Sequence, residues 1–245
     1  MKCIAHRGWS SFAPENTMAA FYKALDHDWI FGIELDVHLS KDGIPVVIHD
    51  HTLERTTNGI GEVKEYTYEE LSQLDAGSWY RESFFDQRIP SLEQALLAIK
   101  DSGKKVTIEL KQVGSRYPGM EERVVEVVER LNMMEQVIFA SFDHVSVERI
   151  FKLAPQANRG LIIGQLPNLI LEQLDHVKAG YLMLEHHFAE PELIEELKNK
   201  GIHVGVWTID DELIINRKRT FFEDVYITTN NPRILKDHIL KASTV

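Results

Sequence analysis

The chain has 245 residues, 44% of them hydrophobic, which is enough for one sizeable core and fits one large α/β barrel or two small domains. Lys and Arg number 27 against 38 Asp and Glu, and the formal charge of −11 argues against non-specific nucleic-acid binding and against docking on anionic lipid, since both rely on clustered positive charge. The single cysteine, Cys3, rules out an internal disulfide and reads as a small buried hydrophobe, and no run of about 18 apolar residues marks a membrane span.

Lys2 to His6 reads as a short strand closed by Arg7-Gly8. MKCIAHRG therefore already carries a candidate site motif instead of a leader, and the cytoplasm is the expected compartment. Pro14-Glu15-Asn16-Thr17 gives a loop and a helix start. Asn16 or Thr17 is the N-cap, and Ala19, Ala20, Phe21, Ala24 and Leu25 form the apolar face. Residues 32–39 form the next strand, where Ile33, Leu35 and Val37 alternate with Glu34, Asp36 and His38. Glu34 and Asp36 then point the same way, and two adjacent carboxylates repel unless a cation, a proton or a basic group lies between them. The Lys41-Asp42-Gly43 turn folds the chain back through the apolar run Pro45 to Ile48, which returns His49 to the acidic pair. This stretch predicts a metal clamp with an imidazole beside it.

From Thr52 to about Pro90 the rhythm changes: a turn-rich RTTNGIGEV, a short capped helix in YTYEELSQL, and an irregular aromatic run to Pro90. Thereafter strands and helices alternate. Helices are predicted from Ser91 through Ile99 and over 121–131, 145–153, 168–176, 191–200, 212–221 and 232–240. Strands are predicted over 105–110, 137–142, 159–163, 181–185, 203–208 and 225–228. Eight strands alternating with eight helices predict a parallel sheet closed into a (β/α)8 TIM barrel. The small insertion, residues 51–90, follows strand two, and residues 1–245 form one domain around it. A doubly wound open sheet is the competing architecture, disfavoured because no GxGxxG turn follows any strand.

In such barrels chemistry collects at the C-terminal ends of the strands. His6 and Arg7, Glu34 and Asp36, Glu109 and Lys111, Phe142, and Trp207 with Thr208 all fall there, and His49 lies just beyond strand two. Each alone has a structural explanation, but a solvated surface need not gather them at one rim.

At this point the chain resembles the glycerophosphodiester phosphodiesterases. The resemblance rests on His6-Arg7-Gly8, the Pro14-Glu15-Asn16-Thr17 loop, Glu34-Leu35-Asp36, His49-Asp50 and LERTTNGIG, then on LDAGSW, IPSLEQAL, IELK, SFD and VWT, in order from about residue 3 to about residue 232. It implies a TIM barrel with an insertion after strand two and a divalent cation held by Glu34, Asp36 and Glu109. His6 and His49 would be the acid/base pair, Arg7 and Lys111 would contact the phosphate, and Trp207 would line the site. Asn230 stands where many relatives have an aspartate and is given no role. His187, after strand six, reads as a solvated loop residue, with substrate lining as its competing use.

Oxygen-only ligation by three carboxylates suits Mg²⁺ or Ca²⁺ better than zinc. Two imidazoles on opposite sides of phosphorus would divide the proton work of hydrolysing a glycerophosphodiester. One rival keeps the barrel and acts on lysophospholipids or sphingomyelin, with Trp79, Tyr80, Phe84 and Phe85 as an apolar entrance instead of core packing of the insertion. A second is a non-catalytic phosphodiester-binding module, which would not need two histidines. A third, a sugar-phosphate isomerase or aldolase with Lys111 as Schiff-base amine, is opposed by the charged neighbours that would keep that amine protonated.

Overall fold

The computed structural model describes residues 1–242. The alternating apolar segments form β1 (Lys2–His6), β2 (Ile30–Leu39), β4 (Lys105–Leu110), β5 (Val137–Ser141), β6 (Asn158–Ile163), β7 (Tyr181–Glu185), β8 (His203–Trp207) and β9 (Tyr226–Thr229). Each pairs in parallel with its neighbour, and β1 pairs with both β9 and β2, so eight parallel strands close a barrel. The remaining strand, β3 (Pro45–Val47), is the return arm of the predicted hairpin and runs antiparallel to the end of β2. β2 starts two residues earlier than its alternation suggests, because Ile30 still pairs with Cys3, with Phe31 as an extra residue before Gly32 pairs with Ile4.

Eight helices cover the barrel among the described residues: α1 (Met18–Leu25), α3 (Leu92–Ile99), α4 (Met120–Arg130), α5 (His144–Leu153), α6 (Ile170–His176), α7 (Pro191–Asn199), α8 (Glu212–Lys218) and α9 (Lys236–Ala242). Their starts follow local capping chemistry. Thr17 caps α1, Ser91 and Gln94 form a capping box on α3, and Asp143 caps α5. With Thr17 as the cap, the Asn16 side chain can bond elsewhere. The last helical segment is split, a 3₁₀ turn over Pro232–Leu235 preceding α9. No helix among the described residues is long and apolar enough to cross a membrane.

The main core lies between the outer face of the barrel and the inner faces of the helices, with Ile33, Leu35, Ile108 and Phe139 fully buried in it on the strand sides opposite Glu34, Asp36 and Glu109. β3 and the stretch after it share a separate small core of Val46, Ile48, Leu53, Val63, Leu71, Ala76 and Ile89, with the short α2 (Tyr68–Leu71) held by a Thr67–Glu70 capping box. Trp79, Tyr80 and Phe84 do not build that core as expected. They pack edge-on against one another, and the Tyr80 hydroxyl donates to the Ser11 carbonyl. Gly77 makes this turn possible, since a Cβ there would lie 1.8 Å from the Phe84 carbonyl oxygen.

Candidate active site

Strand register decides which side chains meet. Parallel pairing sets His6 opposite Glu34 and Asp36 opposite Glu109, and in neighbouring strands paired residues face the same side. The three carboxylates offer ligand atoms that all lie within 4.8 Å of one another, and all three residues are buried. Lys111 Nζ is 2.9 Å from Asp36 Oδ1 and 2.6 Å from Glu109 Oε1, and Arg7 Nε is 3.3 Å from Asp36 Oδ2. The Arg7 backbone N–H donates to Glu34 Oε2 at 3.0 Å, whereas Glu34 Oε1 is buried with no hydrogen-bond partner.

Arg7 is in the left-handed region (φ 56°) and so is Gly8 (φ 79°). This turn aims the Arg7 N–H at Glu34. Gly8 has no substitute, because a Cβ there would lie 2.7 Å from the Cβ of Ala20.

Burial, followed by repulsion from Asp36 and Glu109, raises the Glu34 carboxyl well above its ordinary range. Burial also pushes Glu109 up to about 7, against the pull of Lys111. Burial would raise Asp36 too, but Lys111 and Arg7 outweigh it and hold that carboxyl well below the usual range. The pocket thus contains one firmly ionised carboxylate and two whose charge is costly without further positive charge. An all-oxygen donor set, an unpartnered buried oxygen and this charge deficit together fit a hard divalent cation.

The histidines flank the carboxylates, each held at Nδ1. His6 Nδ1 is 2.7 Å from Asn230 Oδ1. Asn230 Nδ2 donates to Asp210 Oδ2 at 2.6 Å, which fixes the amide so that its oxygen faces His6. His6 therefore carries its proton on Nδ1 and turns Nε2, 3.8 Å from Glu34 Oε2, toward the site. Burial and then Arg7 bring its pKa down to about 4. His49 Nδ1 is 2.6 Å from Asp50 Oδ1, and burial lowers its pKa as well. The His49 carbonyl accepts from Nε2 of His38, a fully buried ring whose Nδ1 meets the Tyr117 hydroxyl at 2.7 Å.

These groups open on a cavity of about 170 Å³ at the C-terminal end of the barrel. His6, Arg7, Glu34, His49, Glu109 and Lys111 line its ionic arc, while Phe142, Ile162, Met183 and Trp207 line the opposite one. Phe142 and Trp207 meet edge-on at 5.5 Å between ring centres, and the indole N–H donates to the Met183 carbonyl. Asp36 lies behind this lining, wholly buried, where Asn16 donates to its Oδ2 at 2.7 Å.

All eight residues to which the resemblance gave site roles thus converge. His187 does not line the cavity. It is exposed, and its Nδ1 and backbone N–H both engage Glu185, which caps a 3₁₀ turn. Glu185, His186 and His187 bring three metal-capable atoms together, but the Glu185 carboxylate is already used by that cap, and Lys218 Nζ lies on the His186 carbonyl. Sequence reading gave no role in the site to Asn16, Glu15, Asp50, Arg55 or Asn230. For the first four the only signal toward the site was membership of motifs in the right order, and Asn230 was noted only as a departure from the pattern. Asn230 turns out to hold His6.

The glycerophosphoryl diester phosphodiesterase family profile matches residues 6–233. A glycerophosphodiester phosphodiesterase of Caldanaerobacter subterraneus subsp. tengcongensis is 43% identical over 211 residues, 84% of this chain and 85% of that protein. The structure of an Oleispira antarctica phosphodiesterase in complex with the product sn-glycerol-3-phosphate is similar with a TM-score of 0.90 at 31% identity, covering 100% of this chain and 97% of that one. A glycerophosphodiester phosphodiesterase from Agrobacterium tumefaciens gives a TM-score of 0.81 at 30% identity over 96% of this chain and 98% of its own. With a barrel whose acidic and imidazole groups meet at one rim, and with these likenesses spanning nearly its whole length, the chain belongs to the glycerophosphoryl diester phosphodiesterase family and is a phosphoric diester hydrolase.

Proposed function

We propose that the chain hydrolyses glycerophosphodiesters to glycerol 3-phosphate and an alcohol. Glu34, Asp36 and Glu109 hold one divalent cation, Mg²⁺ or Ca²⁺, His6 and His49 move the protons, Arg7 and Lys111 grip the phosphate, and Trp207 walls the site. One observation carries this reading: the three buried carboxylates have ligand atoms within 4.8 Å of one another, beside two imidazoles each fixed at Nδ1. The glycerol 3-phosphate bound to the Oleispira antarctica phosphodiesterase supports the choice of product.

Charge balance supports it too. Three carboxylates against Arg7 and Lys111 leave one net negative charge when all are ionised, which would repel a phosphodiester anion. A divalent ion changes that to one net positive charge. When bound, such an ion polarises a phosphoryl oxygen and offsets the negative charge that develops on it. Arg7 offers a planar fork of donors to phosphate oxygens, and Lys111 a point charge. Each imidazole has Nε2 free, so one ring can accept the proton of the attacking hydroxyl while the other gives a proton to the departing alkoxide.

Cavity size favours the glycerophosphate half as the enclosed part. About 170 Å³ is below the roughly 300–1,000 Å³ of sites that enclose drug-sized ligands. The lysophospholipid alternative loses its proposed entrance, since Trp79, Tyr80, Phe84 and Phe85 do not line the cavity. A purely binding module would have no use for two rings fixed with Nε2 free.

The test is turnover of glycerophosphodiesters with choline, ethanolamine, glycerol and inositol head groups, after chelation and after adding back Mg²⁺ or Ca²⁺. Activity should vanish on chelation and return with one of the two ions. His49→Ala should be inactive with an unchanged melting temperature, and undiminished turnover by that variant would remove His49 from the mechanism.

A further inference from the structure

Arg55 lies in the turn-rich segment after β3, outside the cavity lining, yet it makes four hydrogen bonds to two carboxylates that themselves brace the site. Its Nε donates to Asp50 Oδ2 at 2.6 Å and one terminal nitrogen, Nη2, to Asp50 Oδ1 at 3.0 Å. Nη2 also donates to Glu15 Oε1 at 2.7 Å, and Nη1 to Glu15 Oε2 at 3.0 Å. Asp50 holds His49 Nδ1 at 2.6 Å, and Glu15 Oε1 accepts from Arg7 Nη1 at 2.8 Å. An unbroken chain of charge-assisted hydrogen bonds thus runs from His49 through Asp50, Arg55 and Glu15 to Arg7.

We propose that Arg55 is a positioning residue that sets two groups of the site at once, the His49 ring through Asp50 and the Arg7 guanidinium through Glu15. The inference rests on the roles given above to His49 and Arg7.

An ordinary surface ion pair would contribute little, because two long side chains lose entropy and solvent screens them. This arrangement differs in geometry and in burial. The guanidinium fork engages both oxygens of each of two carboxylates, a fit that lysine's single ammonium does not reproduce. Glu15 and Asp50 are only 13% and 27% exposed, so their charges depend on the partner more than solvated carboxylates do.

The scaffold beneath Arg55 is stiff. Leu53 is fully buried in the small second core, Thr57 bonds back to the Leu53 carbonyl through both its hydroxyl and its N–H, and Leu53 N–H reaches the Gly61 carbonyl. Glu15 is held from the other side by the loop that sends Asn16, at φ 57°, onto Asp36. The insertion thereby acquires a definite role in the site. Its core fixes a loop, the loop fixes Arg55, and Arg55 ties the hairpin that carries His49 to the loop after β1.

The test is a kinetic comparison of Arg55→Met, Arg55→Lys, Asp50→Asn and Glu15→Gln on one glycerophosphodiester, with thermal melting as the folding control. Arg55 is 44% exposed, so Arg55→Met should melt normally. Losing an outer hydrogen-bond partner of a metal ligand costs about 10- to 100-fold, and by analogy kcat/KM of Arg55→Met should fall by about that factor. The loss should divide recognisably. Asp50→Asn lowers kcat through His49, Glu15→Gln raises KM through Arg7, and Arg55→Met does both. Arg55→Lys, limited to a point charge, should recover one of the two parameters at most. Asp50→Asn and Glu15→Gln should be non-additive in the parent chain and additive once Arg55 is methionine. Wild-type kcat and KM in Arg55→Met, with His49→Ala inactive, would overturn the clamp and leave the reading of the site intact. Full turnover by His49→Ala would overturn both. A uniform loss in Arg55→Met matched by a fall in melting temperature, with full recovery in Arg55→Lys, would reduce Arg55 to a structural ion pair and end the proposal.

Discussion

The two histidines of the site are held by different parts of the molecule in different ways. His6 ends a barrel strand, is nearly enclosed, and rests on a neutral amide, Asn230, braced by Asp210. His49 follows the antiparallel hairpin, is about one-third exposed, and rests on a carboxylate, Asp50, braced by Arg55. The first half of the site is rigid because strand register in a closed sheet leaves it no freedom. The second half must be made rigid by local hydrogen bonds and a small core of its own. The proposed proton-handling pair is thus assembled from a barrel component and a loop component, with the carboxylates of β2 and β4 between them.

The largest expected effect breaks one half at a time. His6→Ala and His49→Ala should each lower kcat by about 10²- to 10⁴-fold, the usual contribution of a positioned acid or base. Both proteins should melt like the parent. If only one of the two loses activity, the pair is not a pair, and the half that tolerates alanine does not handle a proton.

A second comparison concerns stability. Leu53→Ala should cost about 2–5 kcal/mol, the range for a buried leucine replaced by alanine. Hydrogen exchange should show the segment around Val46 to Ile89 opening while amides of β4 to β8 stay protected. Equal loss of protection across the barrel would mean that the small core is not a separate cooperative unit.

A smaller effect should come from pH at the seam between the halves. Burial brings the His38 pKa down to about 3, and the ring links Tyr117 to the His49 carbonyl. Between about 6.5 and that value the unfolded chain binds the proton that the folded one refuses. Stability therefore rises with pH through this window and is lost as pH falls, by a few kcal/mol at most. Denaturant unfolding of the parent and of His38→Asn over pH 7 to 4 measures the difference. The variant should show a flatter dependence, and identical slopes would assign the acid sensitivity to other groups.

These contrasts also separate what was legible in the sequence from what was not. Glu34 and Asp36 stood out because carboxylates alternate with Ile33, Leu35 and Val37 on a strand that must be buried. Alternation put Glu109 at the same rim, its place beside the pair came from the family resemblance, and the register that sets it opposite Asp36 is visible only in the fold. Period and topology are properties that a sequence carries openly. Arg55 and Glu15 are 40 residues apart on two loops, and nothing periodic links them. Asn16 was read as a candidate cap, and only its left-handed backbone, with Thr17 taking the cap, turns it toward Asp36. For Asn230 the informative fact is which way its amide faces, and Asp210 decides that from another loop. The aromatic run of Trp79 to Phe85 looked like core or entrance and is neither, because Gly77 folds it back onto its own backbone.

The central claim is that Glu34, Asp36 and Glu109 form one cation site. Crystals soaked in Mn²⁺, an anomalously scattering stand-in for Mg²⁺, test it most directly. The account predicts one strong anomalous peak among the three carboxylates in the parent chain, and its loss or marked weakening in Glu34→Gln. A peak only at Glu185, His186 and His187, or one among the carboxylates that is unchanged by Glu34→Gln, would contradict it.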